Sequence, residues 1–476
     1  MTEDRALEIQ GEELEALIRK ATSRILRYLA SLPSQPSADN RDPAGLARSL
    51  REEMPESGEP ADGLLDLLFD TVIPRGFNTA GPGYLAYIPG GGLPHAAVAD
   101  LIADATNRYV GVFAAAPGLA QIEANVVKWF CSIVGYPESA GGILTTGGSL
   151  SNFSALLAAR RDRLPENFLK GTIYVSDQTH HSIQKAAMLA GFPEANVREI
   201  PSDGEFRVSI DALEERIAKD RAAGWTPFFL VGNAGTTNTG AVDDLEALAE
   251  IAARERLWLH ADAAYGGFFA LTERGRGRFA GIERADSIVL DPHKSLFLPY
   301  GTGSLLVRDP ETLKRAHALS AEYLPPMQED ADLTDYNLMS PELSRDWRGL
   351  RVWLPFRMHG AGVFRTNLDE KLDLAEWAGR ELETISGVEI LARPQLSTLA
   401  FRLARPGWSE AETNARNEEL LDLINSRKRV YLTATKLRGR FAIRICVLSF
   451  RTHLDRMEEG LADIRAAIAE LEEVRE

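Results

Sequence analysis

The chain has 476 residues, more than one hydrophobic core normally serves, so two or three structural units are expected. Its 53 basic and 69 acidic residues give a net charge of −16, which argues against nucleic acid or an anionic membrane as a general partner. The two cysteines, Cys131 and Cys446, lie far apart in apolar contexts, so no disulfide framework is indicated and a cytoplasmic location is expected.

The N-terminal region is predicted to be helical. Apolar residues recur at helical spacing over 14–32, and further helices are predicted over 46–54 and 64–72. These helices have no evident core of their own, so they either embrace another subunit as an arm or form a small bundle. The charged residues 1–5 predict no secretory signal, and no apolar run reaches the ~20 residues of a membrane span.

The middle of the chain predicts an α/β domain. A loop rich in Gly and Pro over 74–95 carries aromatic residues that could line a site, and helices follow over 96–134. Short apolar runs then alternate with helical stretches. The runs that predict strands are 173–175, 228–231, 257–260, 288–290 and 305–307. Because they are apolar throughout, they indicate a buried, mainly parallel sheet with ligands at the carboxyl ends of its strands.

Beyond residue 365 the pattern changes to that of a smaller α+β unit. A long helix is predicted over 367–385, alternating segments follow, and a helix over 454–474 closes the chain. The predicted division is therefore an N-terminal helical arm over 1–90, a large α/β domain over 91–365 and a small C-terminal domain over 366–476.

Lys294 stands between two apolar stretches at the end of a predicted strand. Desolvation at such a place lowers the pKa of a lysine toward the neutral amine, which can form a Schiff base. A lysine whose stem packs while its ammonium reaches water is the alternative that this residue alone leaves open.

Two further features suit a phosphorylated, planar ligand. Gly147-Gly148-Ser149 precedes a predicted helix, where backbone N–H groups and the helix dipole favour a phosphate, although an ordinary capped turn has the same pattern. The stretch has neither the P-loop lysine nor GxGxxG spacing. Asp262 ends an apolar run among small residues, so a flat group could lie beside its carboxylate; a surface aspartate that opens a turn is the other interpretation.

His180 and Arg444 are candidates for binding and proton transfer. His180 follows an apolar run, where an imidazole can stack on a ring, move protons or take part in a helix-capping turn. A metal site is not indicated, because the cysteines are far apart and HExxH is absent. Arg444 lies within an apolar strand, where a substrate carboxylate, an internal salt bridge or an outward-facing edge position would satisfy its charge.

A phosphate cradle, an aspartate and a histidine at strand ends, and a Schiff-base lysine are together the parts of a pyridoxal 5'-phosphate site. With these parts, the chain resembles the group II pyridoxal-phosphate-dependent amino acid decarboxylases, the family of aromatic-L-amino-acid, histidine and glutamate decarboxylases. The motifs that carry the resemblance are Gly147-Gly148-Ser149, Asp177-Gln178-Thr179-His180, Asn233-Ala234-Gly235-Thr236-Thr237, His260-Ala261-Asp262-Ala263-Ala264-Tyr265-Gly266-Gly267 and Asp291-Pro292-His293-Lys294.

The resemblance implies a fold and a set of residue roles. The fold is the aspartate aminotransferase-like fold type I of pyridoxal-phosphate-dependent transferases, in a homodimer whose active sites lie at the subunit interface. Lys294 would form the Schiff base, Asp262 would face the pyridine nitrogen and His180 would stack on the ring. The other implied contacts are Gly148, Ser149 and His293 with the phosphate, Thr237 and Ala264 with the ring region, and Tyr87 and Arg444 with the substrate.

The resemblance also implies the reaction, release of carbon dioxide from an L-amino acid to give an amine, with an aromatic substrate favoured. Tyr336, in a predicted mobile loop over 323–342, falls at the tyrosine that returns a proton to the substrate carbon. Two positions depart from the aromatic-amino-acid decarboxylases of this family: Asp291 stands where those enzymes usually have Asn, and Thr79 stands where they have Trp. The alternatives are aldehyde-forming oxidative decarboxylation, carbon–carbon lyase chemistry, and a catalytically silent scaffold that binds the cofactor.

Overall fold

The computed structural model describes residues 7–9, 11–318, 330 and 332–473. Its first elements are the helices α1 (Gly11–Ser31), α2 (Pro43–Ser49) and α3 (Ala61–Asp66), the last of which continues as a π-helical turn, Leu67–Val72. Two short strands, β1 (Ala38–Asp39) and β2 (Gly76–Phe77), pair antiparallel beside them. None of the residues of α1 is buried, so its apolar stripe lies open in the single chain.

A mixed, mostly parallel sheet of seven strands lies at the centre of the described chain. Its strands are β3 (Gly141–Thr145), β4 (Gly171–Ser176), β5 (Val197–Ile200), β6 (Thr226–Asn233), β7 (Trp258–Asp262), β8 (Ser287–Leu290) and β9 (Gly303–Val307). Their order in space is β3-β9-β8-β7-β6-β4-β5; β9 runs antiparallel to both neighbours and the other pairs are parallel. The predicted mainly parallel sheet is confirmed.

Helices cover both faces of this sheet. They are α4 (Pro94–Thr106), α5 (Pro117–Ile133), α6 (Gly148–Arg163), α7 (Ser182–Leu189), α8 (Ile210–Ala222), α9 (Leu245–Glu255), α10 (Glu273–Arg278), α11 (Pro292–Ser295) and α12 (Glu311–His317). Successive side chains of a strand point to opposite faces, so Ile288 and Leu290 join one core cluster and Val289 joins the other. Burial on both faces explains why these strands are apolar throughout.

The C-terminal part forms a second, antiparallel sheet in the order β10-β11-β13-β12. Its elements are α13 (Gly349–Glu383), β10 (Val388–Ala392), β11 (Thr398–Leu403), α14 (Glu410–Ser426), β12 (Thr433–Leu437), β13 (Arg440–Cys446) and α15 (Leu454–Glu473). Helix α13 is broken at Gly360, whose φ of 72° lies in the left-handed region that glycine adopts readily. Since α13 crosses residues 365 and 366, the division into 1–90, 91–365 and 366–476 stays a prediction.

This architecture gathers polar residues at one edge of the central sheet. Strands β4, β6, β7 and β8 are parallel, so the segments that follow them lie side by side, next to the turn that leads into α6. Strand β13 lies in the interior of the C-terminal sheet rather than at its edge. None of the described helices has both the length and the apolar character needed to span a membrane.

Candidate active site

A cavity of about 360 Å³ opens at the carboxyl ends of the parallel strands. The turn before α6 forms one wall, and the segments that follow β4, β6, β7 and β8 form the others. The cavity is lined by residues that were predicted to contact the cofactor: Gly148, Ser149, His180, Thr237, Asp262, Ala264, His293 and Lys294. Tertiary structure therefore brings five separate segments of the chain to one place.

Lys294 lies on the short helix α11 with its Nζ 2.9 Å from Oδ2 of Asp291. Burial acts to lower the pKa of the Lys294 ammonium, but the negative charges of Asp291 and Asp262 outweigh burial, so this pKa is raised. The expectation that desolvation leaves a neutral amine is therefore wrong for the chain by itself. It failed because Asp291, three residues earlier, faces the ammonium.

Asp262 ends β7 and is 8% exposed. The side-chain amide of Asn152 donates a hydrogen bond to its Oδ2 at 3.3 Å, and the backbone N–H of Ala264 donates to its Oδ1 at 3.2 Å. Both donors are neutral. The carboxylate therefore suits a cationic partner, such as a protonated pyridine nitrogen, in the cavity that it lines.

The turn before α6 has the shape of an anion cradle. Gly147 has a φ of 154°, and a Cβ added at Gly148 would lie 2.9 Å from Oδ2 of Asp291, so the backbone closely approaches the cavity floor. Helix α6 has 16 residues, and its free N–H groups and dipole favour a phosphate at this end. His293 is fixed nearby, because its Nδ1 donates to the carbonyl of Thr302 at 2.5 Å.

These residues fit the three functional groups of pyridoxal phosphate. An aldehyde requires an amine, which Lys294 provides, and a pyridine nitrogen requires an acidic partner, which Asp262 provides. The phosphate requires N–H donors and space, which the turn over Gly147 and Gly148 provides. All three requirements are met within one cavity.

His180 follows β4 and lines the same cavity, although the residue is exposed in the single chain. Its Nδ1 lies 2.8 Å from Oγ of Ser182 and 3.3 Å from the backbone nitrogen of Ser182. Loss of hydration at the cavity wall lowers the pKa of His180 below its usual value. The imidazole is therefore mainly neutral near pH 7.

A second cavity, of about 500 Å³, adjoins the first, since His180 and Thr237 line both. Tyr87 and Arg444 also line it, so the two predicted substrate residues lie together. Tyr87 has a φ of 51°, and its side chain is 53% exposed toward this open region.

Arg444 is 4% exposed and, among the described residues, has no carboxylate partner. Its guanidinium donates to the carbonyl of Asn238 at 2.9 Å, to Oγ1 of Thr433 at 3.3 Å, and to the carbonyls of Thr237 and Tyr87. Burial lowers the pKa of Arg444, and no described carboxylate offsets this. Neither an internal salt bridge nor an edge position explains its charge.

Tyr336 lies away from both cavities in the single chain. It begins a 3-10 turn, Tyr336–Leu338, is 1% exposed and packs in a core cluster with the Arg345 guanidinium 4.9 Å from its ring centroid. Its hydroxyl has no hydrogen-bond partner among the described residues. The predicted mobile loop over 323–342 lies partly outside the described residues, which omit 319–329 and 331.

Several cavity residues were not predicted from the sequence. Asn152 lines the cavity from the first turns of α6, Asn233 lines it from the end of β6, and Ser182 lines it from the start of α7. Asn233 stands in one of the motifs that carry the family resemblance, but it was given no role there, although it shares with Asp262 the position of a polar residue at the end of an apolar run. Asn152 and Ser182 gave no signal, because capping and helical surface positions use the same residue types.

The chain resembles known proteins over nearly its whole length. The family model described as the pyridoxal-dependent decarboxylase conserved domain matches residues 43–404. An aromatic-L-amino-acid decarboxylase of Bacillus atrophaeus is 34% identical over 467 residues, which cover 98% of this chain and 97% of that protein.

Two solved structures show the same fold. Oryza sativa TDC with PLP and tryptamine has a TM-score of 0.92 at 27% identity, and Catharanthus roseus tryptophan decarboxylase in complex with L-tryptophan has 0.91 at 29%. Each match covers 97% of this chain and 99% of the other. Together with the mixed seven-stranded sheet and the smaller antiparallel sheet, this likeness confirms the predicted fold type I.

Proposed function

Because the chain belongs to the pyridoxal-dependent decarboxylase family, and is an amino acid decarboxylase that uses pyridoxal 5'-phosphate, we propose that its substrate is an aromatic L-amino acid. The products are the corresponding amine and carbon dioxide. The observation that carries the proposal is a cavity combining Lys294, Asp262 and the α6 N-terminus, adjoining a second cavity with an unneutralised arginine. The aromatic class is supported by the names of the relatives and by Tyr87 and Tyr431 in the wall of the second cavity.

In this proposal each cavity residue has one task toward the cofactor. Lys294 holds the aldehyde, Asp262 faces the pyridine nitrogen, and His180 stacks on the ring. The phosphate contacts are Gly148, Ser149 and His293, and the contacts to the ring region are Thr237 and Ala264. When bound, the cofactor supplies an electron sink for the pair released as the bond between Cα and the carboxylate breaks.

Arg444 is proposed to hold the α-carboxylate of the substrate. Five N–H groups are available on a guanidinium, and four contacts to neutral oxygens occupy most of them. One N–H and the whole positive charge remain for a ligand. A substrate carboxylate in the second cavity would provide the anion that Arg444 lacks, and Tyr87 would line the same space.

Tyr336 is proposed to return a proton to the substrate carbon after carbon dioxide leaves. Its buried hydroxyl has no partner among the described residues, so it gains a hydrogen bond if it leaves its present position. The role requires either that the segment around Tyr336 moves or that the residue comes from a second copy of the chain.

A homodimer with its active sites at the interface is proposed as the working form. The support is the apolar stripe of α1, whose side chains are 36% to 61% exposed in the single chain: Leu14, Leu17, Ile18, Ile25 and Leu26. Light scattering of the purified protein should give about twice the chain mass of 52.3 kDa. A monomer with full activity would contradict this part of the proposal.

A cytoplasmic location is proposed because both cysteines, Cys131 and Cys446, are buried as free thiols. Fractionation of the producing cell would test it. Activity recovered only outside the cytoplasm would overturn it.

The reaction is tested by incubating the protein, loaded with pyridoxal phosphate, with each common L-amino acid and several aromatic analogues. Amine, aldehyde, carbon dioxide and oxygen are measured in parallel. Equal amounts of amine and carbon dioxide from one aromatic substrate are the expected result. Aldehyde with oxygen uptake would favour oxidative decarboxylation, and turnover of acidic amino acids alone would refute the aromatic assignment.

A further inference from the structure

A chain of buried hydrogen bonds runs from the core of the sheet to Asp262. The indole nitrogen of Trp258 lies 2.8 Å from Oγ of Ser287, which lies 2.8 Å from Nδ1 of His260. Nε2 of His260 lies 2.9 Å from Oδ1 of Asn152, whose Nδ2 is 3.3 Å from Oδ2 of Asp262. All five side chains are less than 9% exposed.

The direction of each hydrogen bond in this series follows from which groups can donate and which can accept. A carboxylate accepts, so Asn152 turns its NH₂ group to Asp262 and its oxygen to His260. His260 must then carry its proton on Nε2. Burial lowers the pKa of His260 to about 4, so its Nδ1 is bare and accepts from the Ser287 hydroxyl. That hydroxyl in turn accepts from Trp258, which can only donate.

The side-chain amide of Asn152 also influences the protonation of His180, through the hydroxyl group of Ser182. Nδ2 of Asn152 donates its second proton to Oγ of Ser182 at 2.8 Å, so the hydroxyl proton of Ser182 is free to point to Nδ1 of His180 at 2.8 Å. The backbone N–H of Ser182 points to the same nitrogen at 3.3 Å. Two donors converge on Nδ1, so a neutral His180 carries its proton on Nε2, which bonds to no described residue.

We propose that Asn152 is a positioning residue that fixes His180 as the Nε2–H tautomer through Ser182, while its other N–H orients Asp262. His180 then presents a donor, and not a lone pair, to a ligand in the cavity. Its Nε2 can donate a hydrogen bond to an oxygen of the substrate or cofactor, but Nε2 cannot accept a proton in this form. The inference rests on the proposed site of decarboxylation, yet the tautomer is a property of the chain with or without cofactor.

The tautomer can be measured directly by ¹⁵N NMR of the full-length protein labelled at its eight histidines, with and without pyridoxal phosphate. The His180 signals are identified as those missing from His180→Gln. The wild-type protein should show protonated Nε2 and bare Nδ1 at pH 7.5. In Asn152→Ala the ratio of the two tautomers should fall roughly fivefold, the factor that corresponds to one neutral hydrogen bond.

Two further variants separate this relay from a general loss of structure. Ser182→Ala should lower the tautomer ratio as Asn152→Ala does. The double variant should lower the ratio little further, because both substitutions break the same series of hydrogen bonds from Asn152 through Ser182 to His180. Ser154→Ala is the matched control on the same helix, since its buried hydroxyl has no hydrogen-bond partner among the described residues, and it should leave the ratio unchanged.

A wild-type His180 protonated on Nδ1, or additive effects in the double variant, would overturn the inference. The wild-type and Ser182→Ala spectra decide even if Asn152→Ala does not fold. Carbon dioxide release is measured separately, so a protein with the expected tautomer and no turnover would refute the proposed function alone.

Discussion

Replacement of Arg444 by Met is the sharpest test of how the substrate is held. The substitution removes a buried cation while it keeps a long side chain. Because four contacts to neutral oxygens already occupy the guanidinium, we expect one charge-assisted hydrogen bond to the substrate rather than a full bidentate pair. Such a bond contributes about 1.5–3 kcal/mol, so the apparent affinity for the amino acid should fall roughly 10- to 150-fold.

The assay compares two ligands of the loaded enzyme. The amino acid substrate carries the α-carboxylate and should bind more weakly to Arg444→Met. The product amine lacks the carboxylate, so its inhibition constant should change by less than about threefold. Arg440→Met, on the same strand but exposed, is the control and should alter neither value. Equal weakening of both ligands would show a disturbed cavity, and an unchanged substrate affinity would refute the role of Arg444.

The remaining predictions concern catalysis, pH and stability. Lys294→Ala should abolish amine release and the Schiff-base absorbance of the loaded protein; retained turnover would contradict its assignment. Tyr336→Phe should divert product toward aldehyde with oxygen uptake; amine alone would remove that role. Burial lowers the pKa of His260 from its ordinary value of 6.5 to about 4, so between these pH values the imidazole is protonated in the unfolded chain but not in the folded chain. Chemical denaturation should therefore show stability falling by roughly 3 kcal/mol more in wild type than in His260→Gln as pH drops from 6.5 to 4, and parallel curves would refute this. Glu123→Ala should cost about 3–5 kcal/mol in urea unfolding, because it leaves Arg345 buried without its partner at 2.6 Å; a loss under about 1 kcal/mol would contradict it.

The sequence determined the kind of fold and the main parts of the site. Apolar runs separated by helices can be buried on both faces only in a mainly parallel sheet, and such a sheet collects its loops at one edge. For this reason the sequence predicts Lys294, Asp262 and His180 at one edge of the sheet, and all three line the same cavity. The helix boundaries were less well predicted: α2 ends at Ser49, whereas a helix was predicted over 46–54.

The tertiary structure alone decided the charge states and the partners. Whether Lys294 is neutral depends on the 2.9 Å between its ammonium and Asp291. The partners of Arg444 come largely from the loops that contain Tyr87 and Asn238, which lie far from it in the chain. The position of Tyr336 in the core and the contact of Asn152 with Asp262 likewise follow from packing between distant segments. The composition and spacing of residues determine which side chains reach the site, but pKa values and hydrogen-bond direction depend on distances of a few ångströms, which only the folded chain sets.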